Sequence, residues 1–101
     1  MNLIDYAGQD IRLTDERLAH IKEHPEMVPH VDRIGEVLEV PDIVVSSKSD
    51  EEARLYYKQY KKLSIGDKYL CVVVKFRQVD AFVVTAYFTD SIKKGDTIWG
   101  K

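Results

Sequence analysis

The chain has one cysteine, one tryptophan and three prolines in 101 residues, and no apolar run approaches the roughly 20 residues that a membrane helix needs. Met1-Asn-Leu-Ile-Asp-Tyr6 shows no basic segment followed by an apolar one, so no secretory signal is expected. The lone Cys71 lies inside an apolar stretch with no activating group nearby in sequence, which suits a small buried hydrophobe better than a nucleophile. A reducing cytoplasm is the simplest compartment, and no membrane partner is expected. Several motifs are missing as well: no Walker loop, no glycine-rich dinucleotide fingerprint, no zinc-ribbon spacing and no Gly-x-Ser-x-Gly elbow. ATP hydrolysis, Rossmann-type redox chemistry and ester hydrolysis by an elbow serine therefore have no support. With no repeat, low-complexity stretch or linker, residues 1–101 read as one domain.

What is present is ordinary in bulk and uneven in detail. A hydrophobic content of 45% with 32% charged residues fits a globular protein. The net charge of −2 hides an asymmetry. Residues 1–52 hold 5 Lys/Arg against 13 Asp/Glu, whereas residues 53–77 hold 7 against 1. A basic block of that kind suits a polyanion such as nucleic acid. The plainer alternative is that acidic helices neutralise basic strands within the fold.

The densest signal is Lys68–Thr89. Two runs rich in β-branched and aromatic residues, Tyr69–Phe76 and Ala81–Phe88, flank the polar Arg77-Gln-Val-Asp80. So short a link predicts an antiparallel hairpin, central in its sheet because neither face is wholly polar. Strict alternation puts Tyr69, Cys71, Val73, Lys75 and Arg77 on one face of the first strand. In the second strand it sets Phe82, Val84, Ala86 and Phe88 against Val83, Thr85, Tyr87 and Thr89. Lys75, Thr85 and Tyr87 are the polar exceptions inside apolar strands.

Ahead of the hairpin, short apolar pieces around Asp5–Asp10 could form an edge hairpin. Thr14, followed by Asp15 and Glu16, is a credible N-cap for a helix running to about His24, where Pro25 stops it. Pro29 can open a second helix, Val31–Val40, closed by Pro41. Asp42–Ser46 and Arg54–Tyr60 read as strands, and Ser47–Glu52 as a solvated loop. The tail from Ser91 reads as irregular, with Ile98-Trp99 anchoring it. Helices first and strands afterwards predict an α+β domain, two N-terminal helices on a mostly antiparallel sheet.

Two groups of side chains could carry chemistry. His20 and His24, at i and i+4, share a helix face and could hold a metal, although no obvious further ligand follows. Imidazole is also the side chain that ionises near neutral pH, so a substrate-facing histidine could move protons. Surface histidines at a helix end are the plainer alternative, and His30 has nothing to distinguish it. The second group is Arg54, Tyr56, Tyr57, Lys58, Lys75, Thr85 and Tyr87 on strands. Cations interleaved with aromatics can neutralise phosphates and stack bases, or they can simply pack across strands.

Arg12–Met27, Pro41-Asp42, Arg54–Lys58, Lys68–Lys75 and Val84–Asp90, with Lys94-Gly95 and Ile98-Trp99, resemble a family of small bacterial and phage-associated domains in the barnase/EndoU/colicin/RelE-like nuclease superfamily. The resemblance spans nearly the whole chain. It implies N-terminal helices followed by an antiparallel sheet of about four strands, and a toxin-like RNase that works without a metal or other cofactor. In such enzymes the 2′-hydroxyl of RNA attacks the adjacent phosphate, helped by a base, an acid and a cation. Carried over by position, His20 or His24 would be acid or base, Arg54 and Lys75 would hold phosphate, and Thr85 and Tyr87 would position it. RNA would be the substrate, with an antitoxin- or immunity-type protein as a candidate partner. The alternative is a non-catalytic partner- or RNA-binding module that keeps the fold.

Overall fold

In the computed structural model, which describes residues 1–100, one seven-stranded sheet dominates. Its strands are β1 (Asn2–Ile4), β2 (Asp10–Arg12), β3 (Ile43–Ser46), β4 (Ala53–Leu63), β5 (Gly66–Arg77), β6 (Asp80–Thr89) and β7 (Thr97–Gly100). They lie in the order β1-β2-β6-β5-β4-β3-β7. All neighbours pair antiparallel except β2 and β6, which meet in parallel at Arg12 and Phe82. The sheet curls: Tyr6, just past β1, rests on Trp99 of β7 with ring centroids 4.9 Å apart.

This corrects the expected α+β architecture of two helices on about four strands. The fold is mostly sheet, mixed, and carries only three short helices among the described residues. Helix α1 (Asp15–Lys22) begins where expected, with the Thr14 hydroxyl accepting the Arg17 N–H at 3.1 Å, yet it buries only Ile21 fully. Pro25 and Pro29 both fall within a 3-10 helix, Pro25–His30, rather than a break. Helix α2 (Arg33–Glu39) is two turns long and buries Ile34, Val37 and Leu38. The edge hairpin around Asp5–Asp10 forms as β1–β2, and the strand not expected is β7 in the tail. Thr97–Gly100 lacks alternation, but β3 gives it a partner.

The predicted hairpin is β5–β6, third and fourth in the sheet order. On the face covered by the helices, Tyr56, Leu70, Val72, Val74, Val83 and Ala86 join Ile21, Met27, Ile34 and Leu38 in the main core. That core holds one buried acid. Asp5 accepts the Tyr56 O–H at 2.7 Å and the backbone N–H groups of Ala7 and Gln9, so its oxygens are satisfied. The opposite face carries a smaller cluster, Val45, Leu55, Tyr57 and Cys71, packed against Tyr69, Val73, Tyr87 and Ile92. No helix of the described residues is long and apolar enough to cross a membrane.

Candidate active site

The smaller face holds a pocket of about 680 Å³. Its floor is β4–β6, through Ala53, Leu55, Val73, Lys75, Thr85 and Tyr87. One wall is the Ser47–Asp50 loop; Lys93 and Lys94 form another, and Arg17 reaches in from α1.

The floor depends on a β-bulge. Val73 pairs with Thr85 and Val74 with Val83, so β6 carries one extra residue, Val84. The alternation therefore slips. Ala81 and Val83 share the core face with Ala86, while Phe82, Val84, Thr85 and Tyr87 all line the pocket. Strict alternation put Phe82 and Thr85 on opposite faces, and this is corrected by the bulge. Bulges commonly re-aim side chains beside functional sites.

Six cations line the pocket, Arg17, Lys48, Lys75, Arg77, Lys93 and Lys94, with one carboxylate, Asp50, among them. Lys75 Nζ lies 3.0 Å from Asp50 and 3.9 Å from Glu52, and Arg77 Nε lies 3.3 Å from Glu52. A hydrogen bond from the Glu52 backbone N–H, reinforced by Lys75, holds the Asp50 carboxyl below its ordinary value. Arg17, Lys48, Lys93 and Lys94 make no ion pair among the described residues. Cations thus outnumber acids, and such a surplus in a concave site attracts anions.

Below Lys93 sits a small polar cluster. Burial pushes the Tyr57 hydroxyl up to about 12 and the Cys71 thiol up to about 11. Tyr87 is raised too, by burial first and then by neighbouring Cys71. All three stay protonated at neutral pH, and the Tyr57 and Tyr87 hydroxyls both meet the buried Cys71 thiol. Tyr57 Oη accepts the Lys93 backbone N–H at 3.1 Å, which ties the tail to the floor.

The residues singled out in the sequence do not all converge. Lys75, Thr85 and Tyr87 line one pocket. Arg54 stands on the other face, paired with Val74 and stacked 4.3 Å from the Phe76 ring centroid. His20 and His24 are exposed on and just after α1, beside Glu23 and Glu26 at 3.6 and 3.8 Å, and neither lines the pocket. His20 does follow Arg17 by three residues, which makes the two neighbours on the helix surface. Among the described residues no group of three or more His, Cys, Asp or Glu side chains could hold a metal.

Arg17, Lys48, Asp50, Lys93 and Lys94 were not foreseen in the site. Lys48 and Asp50 belong to a stretch that reads only as solvated loop, and the two tail lysines need the strand order to be placed. No curated protein and no solved structure matches the chain. One family model does, over residues 2–99, and its description is phage-Barnase-EndoU-ColicinE5/D-RelE like nuclease2. With nearly its whole length matched, and a cationic pocket on its sheet, the chain belongs to this family of nuclease-like domains.

Proposed function

We propose that the protein is a metal-independent endoribonuclease that cleaves RNA at the pocket on β4–β6, through attack of the 2′-hydroxyl on the adjacent phosphate. The observation that carries this reading is the gathering of Lys75, Thr85 and Tyr87 on one pocket floor rich in cations. Lys75 neutralises charge that builds on the phosphate oxygens. The hydroxyl of Thr85, whose partner Val73 lies two residues from Lys75 on β5, donates a hydrogen bond to them, while Tyr87 stands farther along the floor. Donors aimed at developing charge in a partly desolvated site stabilise a transition state more than they would in water.

Proton transfer falls to His20, one turn along α1 from the pocket-lining Arg17, with His24 as the second candidate. Arg54 has no part in this reading, because it points to the other side of the sheet. A competing reading, a binding module that retains the fold, is favoured by one observation: no histidine lines the pocket.

Incubation of total RNA with the pure protein in EDTA separates the two. For an enzyme, Lys75→Ala and His20→Ala should each slow cleavage, the histidine change by ~10²–10⁴-fold. RNA that binds but is never cut, with binding lost in Lys75→Ala, would leave the binding module as the better reading.

A further inference from the structure

The chain after β6 crosses the pocket face on its way to β7. Strand β6 is third in the sheet and β7 is last, so residues 90–96 must pass over β5, β4 and β3. This strap is pinned at both ends of its path. Ile92 packs into the smaller hydrophobic cluster, and Tyr57 Oη holds the Lys93 N–H. Farther on, the Ser46 N–H donates to the Asp96 carbonyl at 2.9 Å and Ser46 Oγ accepts the Asp96 N–H at 3.1 Å. Gly95 passes so close that a β-carbon there would sit 2.0 Å from the Ser46 carbonyl oxygen. Side chains are excluded at that point, and the backbone fixes where Lys93 and Lys94 emerge.

Lys93 emerges at the end of the pocket away from Lys75, and Lys94 follows it on the wall over β3, next to Gly95 and Ser46. Lys93 Nζ lies 6.0 Å from the Tyr87 ring centroid, and Tyr87 pairs with Cys71 of β5. Lys75, four residues farther along β5, pairs with Phe82. At about 3.3 Å per residue the two registers are roughly 13 Å apart, well beyond the span of one phosphate group. Both strap lysines are exposed and free of carboxylate partners among the described residues, so their charge is available to a ligand.

We infer that Lys93 and Lys94 form a second phosphate-binding station, and that the pocket takes a single-stranded RNA segment with several phosphates rather than a mononucleotide. Lys75 and Arg77 hold one end of the strand and the strap lysines hold the other. Phe82 stands at the Lys75 register and Tyr87 at the Lys93 end, each with a cation over its ring (Arg12 and Lys93), and Val84 and Thr85 line the floor between them. The inference rests on the proposed RNA-cleaving reading and adds the length of substrate that the site grips.

The test uses non-cleavable 2′-O-methyl RNA of one to six nucleotides in EDTA, with affinity measured across a salt series. Affinity should rise steeply beyond the mononucleotide. Each phosphate contact contributes about 0.7 to the slope of log affinity against log salt for single strands, so Lys93→Ala/Lys94→Ala should flatten the slope by about 1.4. Lys61→Ala/Lys62→Ala, at the far end of β4, is the control and should leave the length dependence intact. Gly95→Ala, checked for folding by circular dichroism, should displace the strap and mimic the double lysine variant without removing charge.

A mononucleotide bound as tightly as a hexamer would overturn the inference. So would a slope unchanged in the double variant while Lys75→Ala still weakens binding, and in that case the RNA-cleaving reading survives. If no oligonucleotide binds at low salt, both readings fall.

Discussion

Lys75 Nζ and the Asp50 carboxylate stand 3.0 Å apart at the pocket, so the floor's central cation already holds an anion from the protein itself. An entering phosphate must share Lys75 with Asp50 or displace it. Asp50→Asn removes the competing charge and should raise affinity for single-stranded RNA several-fold at low salt, with the gain shrinking as salt rises. Equal or weaker binding by the variant would show that Asp50 positions Lys75 rather than competing for it.

The same pair sets an acid dependence. The Asp50 carboxyl is held below its ordinary 3.8 in the folded protein, so its contribution to stability is present above that value. It is lost as pH falls through the lower folded value. The contribution is small, because solvent screens a partly exposed pair. Thermal melts between pH 2 and pH 6 should show Asp50→Asn slightly less stable than wild type at the upper end. The two curves should converge in acid.

Arg54 faces away from the pocket, stacked on Phe76. Arg54→Ala should therefore cost about 0.5–1 kcal/mol of stability through the lost cation–π contact. RNA affinity should stay close to wild type, in contrast to Lys75→Ala. Matched losses of affinity in the two variants, with folding intact, would return Arg54 to the site.

Tyr56 and Asp5 are both buried, joined by the 2.7 Å hydrogen bond. Tyr56→Phe leaves one carboxylate oxygen without its partner, and an unsatisfied buried acceptor costs about 1–3 kcal/mol. Chemical denaturation should show that loss, with no change in RNA binding because Tyr56 lies on the helix side of the sheet.

The sequence carried the centre of the fold better than its margins. Tyr69–Phe76 and Ala81–Phe88 are dense in β-branched and aromatic residues, and they form the two central strands as expected. Strand β7 escaped notice because Thr97–Gly100 shows no period of its own and is fixed by β3, some fifty residues away. The helices drew too much weight from caps and prolines. Those signals mark where α1 starts, but they do not reveal that the sheet, rather than the helices, makes up most of the domain. For the site, Lys75, Thr85 and Tyr87 were visible as polar interruptions of apolar strands. That Phe82 and Thr85 share a face was not, because an extra residue in a strand appears only once its partner's register is known. The histidines stood out by their i, i+4 spacing and Arg54 as a strand cation among aromatics, with their roles given by resemblance. Strand parity sets Arg54, next to Leu55, apart from Lys75 only with the β4–β5 register in hand.

The most direct measurement uses an RNA oligonucleotide in EDTA carrying a single 2′-deoxy substitution beside one cleavage site. If the RNA's own 2′-hydroxyl is the nucleophile, the all-RNA strand is cut to products ending in a 2′,3′-cyclic phosphate. The substituted bond alone then survives, and Lys75→Ala slows every cut. Cleavage at the deoxy position, strict dependence on an added divalent metal, or no cleavage of any RNA would contradict that mechanism.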